Sequence, residues 1–265
     1  MFLIDLLIVL LLIRLIIRPV EANFNSIYSL IYRISDYVLK PAKLIVRNDL
    51  KAVWLTVLGL VLIRGALYIA MSRTTLLPGI CSSFLNFFQL LFKFYMVVWV
   101  ISILTGDRAH TPVISVLQRA FLPLNSLSLK LNIPRKSFSI FSFIFILVAY
   151  SLLSFLLNNI VTYGKFASSF NFLRSIAEGF LLIISLFPFP GFFSTIIIVG
   201  ALLSWVSPDP YNPVVQTIYG ISEPLLAPFR KIIPNLGGID ISPIVALLCF
   251  QIIGGQLVGL LRQML

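Results

Sequence analysis

The chain reads as an all-α, polytopic membrane protein of about six transmembrane helices, built as three parallel helix–interfacial hairpin–helix repeats. Composition is the first reason. Of 265 residues, 59% are hydrophobic and 11% charged, with a mean hydropathy of +1.04, whereas soluble domains are roughly 25% charged. A chain this apolar carries too little polar side chain to face water. Length is the second reason: apolar runs approach the ~20 residues that, at about 1.5 Å each, cover a hydrocarbon core of about 30 Å. The third is the placement of charge. Net charge is +11, and most Lys and Arg lie between the apolar runs, which fits a membrane-surface bias better than a nucleic-acid-binding domain. No direct contact with nucleic acid is expected.

The first apolar run, Phe2 to Ile17, is interrupted by Arg14. It has Asp5 before the core and Arg18 and Pro19 after it, so it reads as a retained short membrane helix rather than a signal peptide. From Glu21 to Lys51 the cations Arg33, Lys40, Lys43, Arg47 and Lys51 interleave with apolar residues at three- and four-residue intervals. That pattern makes an amphipathic helix for the headgroup layer. Ala52 to Met71 is a second span. A linker with Pro78 and Gly79 leads to a third, Asn86 to Leu104, which contains Lys93 and Trp99. Thr105 to Lys136 is another basic surface segment, and Ser137 to Val161 a fourth span. Leu181 to Val206 holds Pro188 and Pro190. It is either one kinked span or a short interfacial piece feeding a helix from Phe192, and the single kinked span is the expectation. Pro243 to Leu261 completes the set.

Three surface segments share a pattern. A shift of 101 residues carries Pro112 to Pro213, Pro123 to Pro224 and Lys130 to Lys231. A shift of 187 carries Asn25 to Asn212, Tyr32 to Tyr219, Ser35 to Ser222, Asp36 to Glu223 and Pro41 to Pro228. The repeats are drawn at 1–71, 84–161 and 181–265, the first two degenerate. Each crosses twice, so they are parallel, unlike the inverted repeats of many transporters. The excess of Lys and Arg in the hairpins puts these in the cytoplasm and both termini outside.

The third hairpin concentrates the distinctive residues. Asn212-Pro213 is a capped helix start, and that helix is expected to end near Ile221, before Pro224 and Pro228. Gly237-Gly238 permits a reversal, and Ser242-Pro243 starts the last span by the same cap-plus-proline logic. Arg230-Lys231 would set two cations at phosphate depth beside apolar anchors, binding anionic headgroups or a membrane protein partner. Asp209 and Asp240 bracket the hairpin and can pair with Arg230 or cap backbone. Trp205 reads as an interfacial belt residue. Within the spans, Asp5 and Arg64 fall at similar depth and form a candidate ion pair. Gly255 and Gly259 make a GxxxG that allows close helix approach and a possible homo-oligomer.

The residues Ser204-Trp205, Asp209-Pro210-Tyr211-Asn212-Pro213, Glu223-Pro224-Leu225-Leu226-Ala227-Pro228-Phe229-Arg230-Lys231-Ile232-Ile233-Pro234 and Gly237-Gly238-Ile239-Asp240-Ile241-Ser242-Pro243 closely resemble the signature of the YggT family, called YlmG in Gram-positive bacteria, cyanobacteria and plastids. The resemblance covers residues 190 to 262. It implies an integral inner-membrane protein without an established enzymatic activity, with relatives linked to cell or plastid division and nucleoid distribution, cytochrome b6f haem attachment and osmotic tolerance.

Enzyme chemistry finds little footing. His110 has no metal-ligand neighbours in sequence, Cys81 and Cys249 lack redox or zinc spacing, and no Walker, GxSxG or HExxH motif occurs. The expectation is a non-catalytic membrane protein without cofactor, organising membrane complexes through its hairpins. The alternative is a channel or solute pathway in osmotic adjustment, motivated by Arg64, Lys93 and the glutamines within spans.

Overall fold

The computed structural model describes residues 1–23, 25–73, 75–105, 112–163, 172–206, 209–233 and 240–264, and every regular element among them is helical. The chain divides into two compact units, one of residues 1–94 and 147–175, the other of 95–146 and 176–265.

In the first unit, α1 (Phe2–Ile16) ends where Ile17 turns extended ahead of Pro19. After a 3₁₀ turn, α2 (Ser26–Ile45) starts at Asn25, whose Oδ1 accepts the Ile27 N–H at 2.9 Å. Asn48 caps α3 (Asp49–Ser72) in the same way through Leu50 N–H. Each cap satisfies one of the free donors that a helix start exposes. The three helices close on a core of Ile8, Leu11, Leu12, Leu39, Val53, Val57 and Val61, joined by Phe87 of α4 (Leu76–Thr105). Ser83 of α4 donates to the Val61 carbonyl at 2.6 Å. α7 (Phe138–Tyr163) adds Tyr150, stacked on Phe92.

The second unit contains the short surface helices α5 (Pro112–Gln118) and α6 (Leu122–Lys130). Its C-terminal part is α8 (Phe172–Ile184), α9 (Phe192–Val206), α10 (Pro213–Arg230) and a last helix made of α11 (Ser242–Cys249), a π turn at Phe250–Gly254 and α12 (Gly255–Met264). α10 packs on both α9 and α11.

Among the described residues, four helices are long and apolar enough to cross a membrane: Asp49–Ser72, Leu76–Thr105, Arg135–Val161 and Ser242–Gln263. On α7 the side chains of Ile140, Ile144, Val148, Leu152 and Leu156, one every four residues, are all at least 42% exposed. A continuous apolar stripe of that length is unfavourable in water and natural against lipid. Of the six expected crossings, the other two are shorter. α1 and α9 have 15 residues each, about 22 Å of helix.

Leu181 to Val206 is not one kinked span. α8 stops at Ile184, and residues 185–191 form a compact reversal before α9 begins. Pro188 and Pro190 remove two amide donors, and the freed chain finds other partners: Gly191 N–H bonds Pro188 O, Phe193 N–H bonds Leu186 O, and the Ser194 hydroxyl donates to Phe187 O. Gly191 is required here, because a Cβ would lie 2.5 Å from the Leu186 carbonyl oxygen and 2.6 Å from that of Pro188.

α10 likewise departs from expectation by running through Pro224 and Pro228 to Arg230 instead of ending near Ile221. The prolines sit four residues apart on the same side. Pro228 is exposed and Pro224 half-buried, so the carbonyls they leave unbonded, at Gly220 and Pro224, lie away from the packed face of Ile221, Leu225 and Leu226. Proline is costly in a helix mainly when the orphaned carbonyl is buried.

Candidate functional site

Charged residues gather at the surface helices of both units. In the first, Arg14 comes from the last turn of α1 and is only 5% exposed. Its Nη1 donates to Ser35 Oγ at 2.6 Å and to the Tyr32 carbonyl at 3.3 Å, and lies 2.9 Å from Asp36 Oδ1. Its Nη2 is 3.8 Å from Asp49 Oδ2, and the guanidinium carbon sits 4.3 Å from the centre of the Tyr32 ring. Lys43 bridges the same two acids, 3.1 Å from each. Two cations thus face two carboxylates. Burial pulls the Asp36 carboxyl upward, but hydrogen bonds from Lys43 and the charge of Arg14 outweigh it and hold the group below its ordinary value.

The third hairpin also opens at a capping asparagine and ends at an ion-paired cation. Asn212 Oδ1 accepts the Val214 N–H at 2.9 Å, with Pro213 in the first turn. Asp209 caps the preceding turn through Tyr211 N–H. Arg230, at the end of α10, donates to Glu223 and, from Nε at 2.7 Å, to Asp240. Asp240 also accepts the Ser242 N–H at 2.9 Å. Partial burial works against the charged form of Asp240, yet hydrogen bonds from Ser242 and Arg230 prevail and lower its pKa. Between α9, α10 and the start of α11 lies a cavity of about 420 Å³, with Gly200, Tyr219, Ser222, Glu223, Arg230 and Asp240 among its lining. Gly200 lets α9 and α10 approach: a Cβ there would fall 2.9 Å from Ser222 Oγ. Among the described residues, Arg230 is the one cation paired with either acid.

The remaining candidate residues are dispersed. Trp205 edges the cavity with 76% of its surface exposed, and Tyr211 is 85% exposed. Lys231 is exposed, whereas Arg230 is neutralised by its two acids and is not a free phosphate ligand. Ser242 does not cap α11. It is fully buried inside the first turn beside Pro243, and Asp240 takes the capping role. Asp5 and Arg64 form an ion pair in the first unit. Pro234, Gly237, Gly238 and His110 lie outside the described residues. Among the described residues, a Cβ at Gly255 or Gly259 would meet no atom within 4 Å; it is Gly254 that packs on Pro188. Gln251 accepts the Phe189 N–H at 3.1 Å, tying the last helix to the reversal.

The reading from sequence missed Arg14, treated as an interruption of an apolar run, and it missed Lys43 and Asp49 as a charge cluster. The signal was present: the 187-residue shift sets Tyr32, Ser35 and Asp36 on Tyr219, Ser222 and Glu223, and the residue seven beyond each acid is a cation.

The CCB3/YggT family profile matches residues 179–261, the stretch that forms the end of α8, the reversal, α9, α10 and most of the last helix. An uncharacterized protein of Pseudomonas aeruginosa is 48% identical over 68 residues, 26% of this chain and 34% of its own. An uncharacterized protein of Haemophilus influenzae is 36% identical over 66 residues, 25% of this chain and 36% of its own. The uncharacterized protein YggT of Escherichia coli K12 is 36% identical over 58 residues, 22% and 30% of the two chains. This chain thus spans about a third of the length of the curated relatives it matches. No solved structure matches. Residues 179–261 of this chain thus carry a segment of the CCB3/YggT type.

Proposed function

We propose that this protein is a non-catalytic organiser of the inner membrane that holds anionic lipid and a membrane protein partner through its hairpins. The hairpins face the cytoplasm, and the assemblies they serve are of the kind used in cell division, nucleoid distribution or cytochrome assembly. One observation carries the reading: exposed aromatic, cationic and apolar side chains of the family segment stand at helix ends, Trp205 at the end of α9, Tyr211 just before α10, and Lys231 and Ile232 just after it. That is the mixture suited to the headgroup layer and to a docked partner.

The competing reading, a solute pathway for osmotic adjustment, needs polar groups in the spans that are open to solute. Asp5 and Arg64 bind each other, and Gln251 holds the Phe189 amide, which leaves less to line a path.

A photoreactive residue at Ile232, 81% exposed, tests the organiser reading in cells. Phe229 is a poorer position because it packs edge-on against Phe250. A reproducible protein adduct that weakens in Lys231→Glu is the expected result. Adducts to lipid alone, together with potassium or solute release from liposomes that changes on neutralising Lys93, would reverse the preference.

A further inference from the structure

The 187-residue shift that sets Asn25 on Asn212 also sets Lys43 on Arg230 and Arg14 on Ala201. The paired positions behave alike in their own helix packings. Ser35 and Ser222 are 0% and 1% exposed. Asp36 and Glu223 each pair with the cation seven residues later, and that cation also reaches an acid at the start of the next apolar helix, Asp49 or Asp240. The difference lies at one position. Where α1 inserts Arg14, α9 carries Ala201, which lines the cavity of about 420 Å³ beside Gly200. The first cluster has two cations for two carboxylates, and the third has one. Side-chain volume and positive charge are missing together.

We propose that the cavity between α9, α10 and α11 binds a guanidinium cation supplied from outside this helix group, in the place that Arg14 fills from within the first. The inference goes beyond the organiser reading and stands without it. Arg14 shows why guanidinium is preferred over ammonium: its Nη1 serves Ser35 Oγ, the Tyr32 carbonyl and Asp36, its Nη2 faces Asp49, and its central carbon lies 4.3 Å from the centre of the Tyr32 ring. A compact ammonium cannot satisfy in-plane acceptors and stack at once. Tyr219, Ser222 and Glu223 offer the corresponding ring, hydroxyl and carboxylate, and Trp205 adds a second aromatic face at the rim. An arginine side chain of a protein and a free guanidinium compound share this chemistry.

The test uses the full chain in phosphatidylcholine–phosphatidylglycerol nanodiscs, whose headgroups carry no N–H donor. Ethylguanidinium chloride is the probe, and ethylammonium chloride and sodium chloride at equal concentration are the controls. The expected result is a saturable rise in melting temperature with ethylguanidinium, at least tenfold weaker binding of ethylammonium, and at least tenfold weaker ethylguanidinium binding in Glu223→Gln. Ala201→Arg supplies the missing cation in cis, so it is expected to raise the melting temperature unaided and to abolish the probe response. No saturable response in the unaltered chain, equal responses to the two cations, or an undiminished response in Ala201→Arg would each overturn the proposal. Native mass spectrometry of protein extracted from its own membrane, with a photocrosslinker at Trp205, separates the sources. A retained small guanidinium compound identifies a free ligand, and a crosslink to an arginine-bearing peptide identifies a side chain. A crosslink to lipid alone with nothing retained counts against the site.

Discussion

Arg14 shows how one side chain can be an interruption in sequence and a keystone in space. Its cost in an apolar helix is met because it sits in the last turn, where a cation is favoured by the helix dipole, and because five polar or aromatic groups receive it. Arg14→Met keeps the apolar stem and removes the charge, leaving Ser35 buried without its donor. The expected loss of stability is about 2 kcal/mol, read by thermal unfolding of the purified protein, with partial recovery in Arg14→Met combined with Asp36→Asn. Asp5 and Arg64 make a simpler pair. Reversing either charge alone is expected to lower the yield of folded protein, and reversing both to restore it; a double variant no better than the singles would dissolve the pair. At Gly200 the contact is steric. Gly200→Ala drives a methyl against Ser222 and is expected to cost about 1–3 kcal/mol, eased by Ser222→Ala, which removes the nearest atom.

The reversal at 185–191 and the proline-bearing α10 are element-scale features that act in opposite ways. In the reversal, prolines and a glycine stop α8 and aim α9, and the freed amides are taken up by local carbonyls and by Gln251. Gly191→Ala meets backbone oxygens, which cannot rotate aside, so its destabilisation is expected to exceed that of Gly200→Ala in the same unfolding assay. In α10 two prolines leave the helix intact because their unbonded carbonyls lie off the packed face. Replacing Pro228, exposed on that side, with alanine is therefore expected to be neutral or slightly stabilising, since it restores a helical hydrogen bond. A marked loss would mean that the proline is needed to place Arg230.

At the scale of the whole molecule, the clusters couple stability to pH. Asp36 and Asp240 both sit below the ordinary carboxylate value. A carboxyl with a lowered folded pKa binds fewer protons folded than unfolded, so its stabilisation is full above the ordinary range, about pH 4, and is lost as pH falls through the lowered value. The melting temperature is expected to hold from neutrality down to that range and to drop below it, and Asp240→Asn to remove part of the drop. The clusters lie in different units, so their contributions are expected to add.

Helix content, apolar runs and helix starts were legible because they rest on local rules: composition, a three- to four-residue period, and Asn ahead of a helix. The third hairpin was legible as the distinctive stretch for the same reason, since its prolines, glycines and charges are contiguous. The break after Ile184, the continuity of α10 and the capping by Asp240 instead of Ser242 were not, because proline and cap choices depend on whether a freed carbonyl or hydroxyl ends up packed or open. The charge clusters were out of reach for a related reason. Arg14 is 22 residues from Asp36 and 35 from Asp49 along the chain, and it becomes their partner when α1 and α3 close on α2. Folding brought distant charges within 4 Å in the first unit, and it left a cavity at the matching position in the second.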